Sequence, residues 1–295
     1  MSRCLADALA KLLAAGGEIV SSQLTAAQRR ALEEFACRTQ SVRLTSSGRG
    51  SRYQIVSREQ VEAHLAQLRP RQEDALPANL PNRALNVARY RDSKGGGAGH
   101  AVQYLLLKAI SDDLRWHGGQ GEVLELSALT RLCGVAALAV RERDGWHTGE
   151  PLWLIENQAL FDDPSWLPAD AHGTLCYYSG QLSGLLLDWL AARPRAPLVI
   201  LFPDYDGIGL QNFARLRERL GDGSSFWMMP GWVDLLHRYG NRKIWLDNRA
   251  NFEDALRRMQ EQGMPPELVE LCSAMQYTGL ALEQESVFLC KMPVG

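Results

Sequence analysis

The sequence predicts an α/β protein whose second half is built around a parallel β-sheet with helices on its faces. Three short apolar runs there have the length and composition of buried strands, at 152–155, 174–178 and 198–202. Amphipathic helical patterns follow the second and third runs, at 183–190 and 210–220. Regular alternation of strand and helix is typical of parallel sheets, because the helix carries the chain back to the start of the next strand.

Helical patterns open the chain. Leucines recur at helical spacing over 5–13, and the glycine pair at 16–17 ends this first helix. Thr25 is a suitable N-cap for a second helix, since its side-chain oxygen can accept a backbone N–H of the first turn. A third helix is expected over 57–68.

A β-hairpin is expected between the second and third helices. Its strands are 41–45 and 53–56, and the Ser, Gly and Arg residues of 46–51 form its tip. Helices followed by a hairpin with an arginine-bearing tip are typical of winged-helix DNA-binding domains, so we predict such a domain over 1–69. The other interpretation is a small packing domain whose arginines are only solvated. The basic side chains expected to contact DNA are Arg43, Arg49, Arg52 and Lys94.

Prolines mixed with charged residues at 70–81 mark the expected domain boundary. We assign 70–118 to a linker and a connecting helix, the helix being predicted by the pattern of 101–114, and we assign 119–295 to the larger domain. The segment 91–97 is rich in glycine but lacks the spacing of a P-loop, which favours a flexible connection.

Composition and charge restrict the class of protein. With 46% hydrophobic and 22% charged residues, the chain has the composition of a globular protein. It has no uncharged apolar run long enough to span a membrane, so we expect a cytoplasmic protein. The formal net charge is −2, yet the first 70 residues carry ten Lys and Arg against six Asp and Glu, which favours a DNA-binding N-terminal part. The six cysteines lack paired spacing, which argues against a zinc ribbon.

Acidic residues follow two of the predicted strands at the point where each strand ends. Glu156 comes directly after 152–155, and Asp204 and Asp206 come shortly after 198–202. Because the carboxyl ends of parallel strands meet at one edge of a sheet, we expect these carboxylates to converge. Converging carboxylates repel one another, and oxygen-only ligands suit Mg²⁺ or Mn²⁺. The alternative is that the two aspartates only cap a helix and face solvent.

These segments together resemble a known family. In chain order they are LIEN at 154–157, YYSG at 177–180, FPDYDGIG at 202–209 and LALEQE at 280–285. They resemble the Toprim core shared by the A subunit of type VI topoisomerases and by JetD, the nuclease subunit of Wadjet plasmid-defence systems. The resemblance covers about the last half of the chain, and Pro203 stands where the family more often has glycine.

The resemblance implies a metal-dependent DNA endonuclease that acts with a condensin-like complex, an SMC-like ATPase with its kleisin, to cut invading circular DNA. It implies that Glu156, Asp204 and Asp206 are catalytic residues and ligands of Mg²⁺ or Mn²⁺. Glu283 and Glu285 are implied as ligands of a second metal ion or as residues that order the site. A homodimer would be the simplest way to cut both DNA strands.

Two other functions remain open at this point. A catalytically silent subunit would keep the fold as a DNA-binding or scaffold surface, and a type VI-like transesterase would use Tyr53 as its nucleophile. Strands are enriched in packed aromatic residues, which favours a core role for Tyr53 and hydrolysis by water. Four other aromatic residues are candidates for stacking on single-stranded DNA but are expected mainly in the core: Trp227, Trp232, Tyr239 and Trp245.

Overall fold

The structure is a computed structural model that describes residues 2–47, 50–69, 77, 80–90 and 100–291. Their contacts divide the chain into two compact units, Met1–His100 and Ala101–Gly295. Most of the predicted boundary at 70–81, and all of the glycine-rich segment at 91–97, lie outside the described residues.

Four described helices belong to the first unit: α1 (Ser2–Ala14), α2 (Ala26–Thr39), α3 (Arg58–Leu68) and α4 (Asn82–Tyr90). The first three confirm the sequence prediction. Thr25 caps α2 reciprocally, because its hydroxyl accepts the N–H of Gln28 at 3.2 Å while Gln28 Oε1 accepts the N–H of Thr25 at 3.1 Å. Ser57 caps α3 by accepting the N–H of Gln60.

The first unit also contains a three-stranded antiparallel sheet in the order β1-β3-β2. Its strands are β1 (Glu18–Val20), β2 (Val42–Ser47) and β3 (Gly50–Ile55). The predicted hairpin is confirmed as β2 and β3, which pair as far as Ser47 and Gly50 and therefore extend into the predicted tip. The core of the unit is formed by fully buried side chains that include Leu9, Leu12, Leu32, Tyr53 and Val61.

The second unit is built around a six-stranded mixed sheet in the order β11-β10-β8-β9-β4-β7. Its strands are β4 (Gln103–Ala109), β7 (Ala136–Val140), β8 (Leu152–Ile155), β9 (Thr174–Tyr177), β10 (Val199–Phe202) and β11 (Ser224–Phe226). A separate hairpin contains β5 (Arg115–His117) and β6 (Val123–Glu125). The predicted parallel arrangement is confirmed for β8, β9 and β10. Strand β11, which the sequence did not predict, is also parallel to β10, whereas β4 is antiparallel to both of its neighbours.

The predicted helix at 101–114 is wrong, because this segment contains strand β4. Leu105 and Leu107 are buried whereas Tyr104 and Leu106 are exposed, and this alternation has the period of a strand. A short run of consecutive apolar residues fits either a buried helix or a strand. Residues 103–109 form a strand because they pair with β7 on one side and with β9 on the other. This part of the predicted linker region therefore belongs to the sheet.

Both faces of the sheet are covered at β8. All four of its residues, Leu152–Ile155, are buried, and successive side chains of a strand point to opposite faces. A strand buried on both sides carries apolar residues without alternation. This explains why the sequence shows a continuous apolar run at this position.

The described helices of the second unit are α5 (Leu126–Cys133), α6 (Gln158–Asp162), α7 (Gly184–Ala192), α8 (Gly207–Leu220), α9 (Trp232–Tyr239), α10 (Arg242–Asp247), α11 (Arg249–Gln262) and α12 (Pro266–Thr278). The two helices predicted after β9 and β10 are confirmed as α7 and α8, although α8 begins earlier, at Gly207. Within the described residues, none of the helices combines the length and apolar character needed to cross a membrane.

Candidate metal centre

The acidic residues lie at the carboxyl edge of the parallel strands. Strands β8 and β10 end at the same level, because Ile155 is paired with Phe202, and β9 ends beside them. Glu156 follows β8 directly, and Asp204 lies two residues after the end of β10. The structure therefore brings Glu156 and Asp204 to one edge of the sheet, as expected for residues after parallel strands.

Glu156 is half-buried and receives a hydrogen bond from the end of β9. The hydroxyl of Tyr178 donates to Oε2 of Glu156 at 3.0 Å. Burial raises the pKa of Glu156 to about 7, repulsion from Asp204 and Asp206 adds to this rise, and the Tyr178 hydrogen bond opposes it. The ionised form of Glu156 is therefore disfavoured unless positive charge lies nearby.

Asp204 is also half-buried and is held by the C-terminal part of the chain. Its Oδ1 accepts the backbone N–H of Gln284 at 2.8 Å. Burial raises the pKa of Asp204 to about 7, the Gln284 hydrogen bond opposes the rise, and repulsion from the neighbouring acids adds to it: Asp206, Glu285 and Glu283. Glu156 and Asp204 thus share a region of negative potential.

Asp206 is the N-cap of α8. Its Oδ1 accepts the N–H of Gly209 at 2.8 Å, and its Oδ2 accepts Nδ2 of Asn248 at 2.7 Å. Burial raises the pKa of Asp206, and these hydrogen bonds act in the opposite direction. The capping alternative considered from the sequence is therefore correct for Asp206, but this acid is only 6% exposed and does not face solvent.

Glu283 and Glu285 reach the same edge because the C-terminal segment is hydrogen-bonded to it. Leu282 and Tyr205 form a β-bridge, with the N–H of Tyr205 donating to the carbonyl of Leu282 at 2.8 Å and the reverse bond at 3.0 Å. Glu285 accepts a hydrogen bond from Nδ2 of Asn157, whereas Glu283 is exposed. Both acids act electrostatically on Asp204, so five carboxylates influence one another at this edge.

Within the described residues, no three His, Cys, Asp or Glu side chains are arranged so that they could hold a metal ion together. The carboxylate oxygens of Glu156 and Asp204 accept hydrogen bonds from the chain itself, donated by the hydroxyl of Tyr178 and by the backbone N–H of Gln284. A carboxylate has about four acceptor positions, so these hydrogen bonds leave capacity for a ligand. Mg²⁺ usually keeps several waters and is bound by one or two carboxylates, and mutually repelling oxygen donors suit it chemically. The chemistry of the donor set therefore suits Mg²⁺, and Glu156 and Asp204 are the two acids that would hold it.

Two glycines permit close packing beside the acids. A Cβ at Gly207 would overlap the carbonyl oxygen of Asn248, and a Cβ at Gly209 would overlap the carbonyl oxygen of Asp204. Neither glycine has a positive φ. The requirement is therefore for space, which lets the start of α11 approach α8 and lets Asn248 reach Asp206.

The residues expected to contact DNA are only partly within the described structure. Arg43 and Arg52 lie on β2 and β3, and the strand register places both side chains on the same face of the sheet. Arg43 is exposed, and Arg52 forms an ion pair with Glu18. Arg49 and Lys94 lie outside the described residues.

Tyr53 is fully buried in the core of the first unit, which confirms the core role favoured by the sequence. Its hydroxyl donates to Oε1 of Glu33 at 2.7 Å. Burial and this hydrogen bond raise the pKa of Tyr53 to about 12. A phenol in these surroundings is poorly placed to attack DNA, because a nucleophile needs access to its target and a neighbouring base that can accept its proton.

The aromatic residues of the second unit are mainly core residues, as expected. Trp227, Trp232 and Trp245 pack against the main hydrophobic cluster. Trp227 meets Phe202 edge to face, with ring centroids 4.5 Å apart. Tyr239 differs, since it is 41% exposed.

Sequence reasoning missed three residues that hold the acids in place: Tyr178, Gln284 and Asn248. Tyr178 and Gln284 belong to segments that the sequence had singled out, but their contacts require two strand ends and the C-terminal segment to meet. No motif or periodicity in the sequence pointed to Asn248. It is 42 residues from Asp206 in the chain and lies directly before α11.

No protein-family model matches the chain, and no curated protein matches it either. A functional assignment therefore depends on the geometry of the acidic edge and on the order of the motifs that form it.

Proposed function

We propose that this protein is a divalent-metal-dependent DNA endonuclease, with a Toprim-type second unit that cuts DNA and a winged-helix first unit that binds it. The observation that carries the proposal is the meeting of Glu156 and Asp204 at one edge of the parallel strands, each with a pKa raised to about 7. Partly buried carboxylates that repel each other are stabilised strongly by a cation.

The side chains around the acids fix the positions of the acceptor oxygens. Tyr178 holds Glu156, and the N–H of Gln284 holds Asp204. We take these two acids as direct ligands of Mg²⁺ or Mn²⁺. Asp206 already accepts two hydrogen bonds, so in this proposal it acts through a water molecule or through its negative charge. The metal ion, when bound, supplies positive charge that binds a phosphodiester and stabilises the leaving oxygen.

Glu283 and Glu285 are proposed to serve a second metal ion or to order the first site. Glu283 is exposed and so is accessible to substrate, and Glu285 is held by Asn157. Their repulsion raises the pKa of Asp204, which supports placing them in the same electrostatic site.

The first unit is proposed to contact the DNA backbone. Its first three helices and its β-hairpin are consistent with a winged-helix arrangement, and Arg43 and Arg52 share one face of its sheet. Phosphate contacts of this kind depend strongly on salt, because they release condensed counterions. Binding by the intact protein should therefore weaken steeply as salt concentration rises.

The biological setting that we propose is a Wadjet-type plasmid-defence complex. The support is the chain order of the acidic segments, the YSG segment at 178–180 and the LEQE segment at 282–285, which resembles JetD. In that setting the partners are an SMC-like ATPase and its kleisin, and the substrate is double-stranded DNA, with a homodimer cutting both strands.

The test of the proposed activity is nicking of supercoiled plasmid by purified protein with Mg²⁺ or Mn²⁺. We expect nicking by the wild type, and its loss in Glu156→Gln and in Asp204→Asn. Glu270→Gln is the matched control, because Glu270 is an exposed acid on α12. No cutting at any metal concentration, or equal cutting by all four proteins, would contradict the proposal.

A catalytically silent DNA-binding or scaffold subunit is the second candidate. The observation that favours it is that the acids of the described structure accept hydrogen bonds from the chain itself and that no three of them are grouped for a metal ion. This candidate predicts DNA binding without metal-dependent cutting. The same plasmid assay, combined with a gel-shift measurement, separates the two.

A further inference from the structure

Gln284 is completely buried beside the acidic edge. Its backbone N–H donates to Oδ1 of Asp204 at 2.8 Å. Its side-chain Nε2 donates to the carbonyl of Phe202, and its Oε1 accepts the N–H of Asn157 at 2.8 Å. One residue therefore contacts both strand ends and one of the acids.

The side-chain amide of Gln284 links the ends of β8 and β10. The last registered pair of these strands is Ile155 with Phe202. At this end, the amide of Gln284 donates to the carbonyl of Phe202 and accepts the N–H of Asn157, two residues past Ile155. A primary amide offers one donor side and one acceptor side, as a peptide group does. The amide therefore joins the end of β10 to the segment that follows β8.

The position of each strand end matters for the acidic centre, because an acid follows each of the two strands. Glu156 lies between Ile155 and Asn157, and Asp204 follows Phe202 by two residues. The same amide anchors the segment that carries Glu283 and Glu285 on either side of Gln284. One side chain therefore links the two strand ends that the acids follow to the C-terminal segment that carries Glu283 and Glu285.

We propose that Gln284 is the positioning residue of the acidic centre: its side chain holds the two strand ends that Glu156 and Asp204 follow, and so sets the affinity of these acids for a divalent cation. This inference rests on the proposed metal-dependent function. Residues that hold the metal-binding side chains in place, without touching the metal themselves, typically change metal affinity or activity by about 10- to 100-fold when they are replaced.

Two substitutions test the contact. Gln284→Leu removes both hydrogen bonds of the amide at similar volume. Gln284→Met keeps the length and flexibility of the side chain, and it takes the place of Gln284→Leu if that variant does not fold.

Thr174→Val is the matched control for loss of a buried hydrogen bond. Thr174 is fully buried at the start of β9, at the opposite end of the strand from the acids, and its Oγ1 accepts Nε1 of Trp116 at 3.0 Å. The variant should lose stability to an extent comparable with Gln284→Leu, without any change at the carboxyl edge.

The experiment is calorimetric titration of each intact protein with Mn²⁺ well below its unfolding temperature, with thermal unfolding measured alongside. We expect Gln284→Leu and Gln284→Met to bind Mn²⁺ at least about tenfold more weakly than the wild type, while Thr174→Val binds as the wild type does. We also expect plasmid nicking by the Gln284 variants to need more metal for half-maximal rate.

The outcomes separate this inference from the proposed function. Failure of the wild type to bind Mn²⁺ would overturn the proposed function and this inference with it. Binding by the wild type, with unchanged affinity in the Gln284 variants, would overturn the positioning role alone. An equal loss of Mn²⁺ affinity in Thr174→Val would also overturn the positioning role. The loss would then result from lower stability of the fold and not from loss of the Gln284 contacts.

Discussion

The hydroxyl of Tyr178 donates a hydrogen bond to Oε2 of Glu156 at 3.0 Å, which joins the end of β9 to the end of β8. Tyr178 is only 8% exposed, so water offers little substitute for this contact. The hydrogen bond lowers the pKa of Glu156 against the burial that raises it. The acidic centre thus depends on a neutral donor as well as on its acids.

Tyr178→Phe should reduce plasmid nicking by about tenfold or more, because Glu156 loses the group that orients it. The pKa of Glu156 should rise further, since a hydrogen bond that favours the ionised form is removed. Nicking rates across pH measure both effects. Tyr277→Phe is the control, because Tyr277 is 91% exposed. An unchanged rate and pH profile in Tyr178→Phe would show that the contact has no part in the activity.

Without divalent cations, the fold should lose stability as pH rises from about 5 to about 8. Folding raises the pKa of Glu156 from its ordinary value of 4.5 to about 7, and that of Asp204 from 3.8 to about 7. A carboxyl with a raised pKa stabilises the fold fully below its unfolded pKa, and this contribution is lost as pH rises through the folded pKa.

Glu156→Gln should therefore be more stable than the wild type at pH 8 by about 2 kcal/mol, and the difference should shrink toward pH 5. Urea unfolding in the presence of a chelator, at both pH values, measures this. The exposed Glu270→Gln should show no such change with pH. If the difference in free energy of unfolding between Glu156→Gln and the wild type were the same at both pH values, the raised pKa of Glu156 would be contradicted.

Added Mg²⁺ or Mn²⁺ should raise the unfolding temperature of the wild type. At a concentration 100 times the dissociation constant, binding to the folded state alone adds about 2.7 kcal/mol of stability. The double variant Glu156→Gln/Asp204→Asn should not respond, because it lacks both carboxylates proposed to bind the ion. Thermal scans over a metal titration provide the measurement, and an equal rise in both proteins would place the ion elsewhere.

Gly207→Ala should destabilise the second unit by about 2 kcal/mol, because the new methyl group overpacks a closed contact. Its Cβ would overlap the carbonyl oxygen of Asn248 and lie 2.6 Å from the backbone nitrogen of Phe252. Gly184→Ala is the control, since a Cβ at Gly184, in the first turn of α7, meets nothing within 4 Å. Urea unfolding of both variants tests the difference, and equal stabilities would show that α8 and α11 can separate without cost.

Tyr53→Phe should leave plasmid nicking unchanged and should lower stability by about 1 kcal/mol, because it removes one partly buried hydrogen bond to Glu33. Denaturing gels of the reaction should show no DNA attached covalently to protein. Loss of cutting in this variant, together with a protein–DNA adduct in the wild type, would instead indicate a transesterase.

Local patterns predicted much of the fold. The capping residue Thr25, the hairpin and the strands β8, β9 and β10 all occur where periodicity and cap chemistry indicated. The error at 101–114 arose because a leucine-rich run suits a helix as well as a strand. Only the neighbours β7 and β9 decided between them.

The sequence by itself determined which acids follow the strands and therefore which edge of the sheet they occupy, because strand ends are encoded by nearby residues. The tertiary structure alone decided which donors hold those acids. Asp206 and Asn248 are 42 residues apart in the chain, and Asp204 and Gln284 are 80 apart. Such contacts form only after helices and the C-terminal segment have packed against the sheet, so no local pattern specifies them.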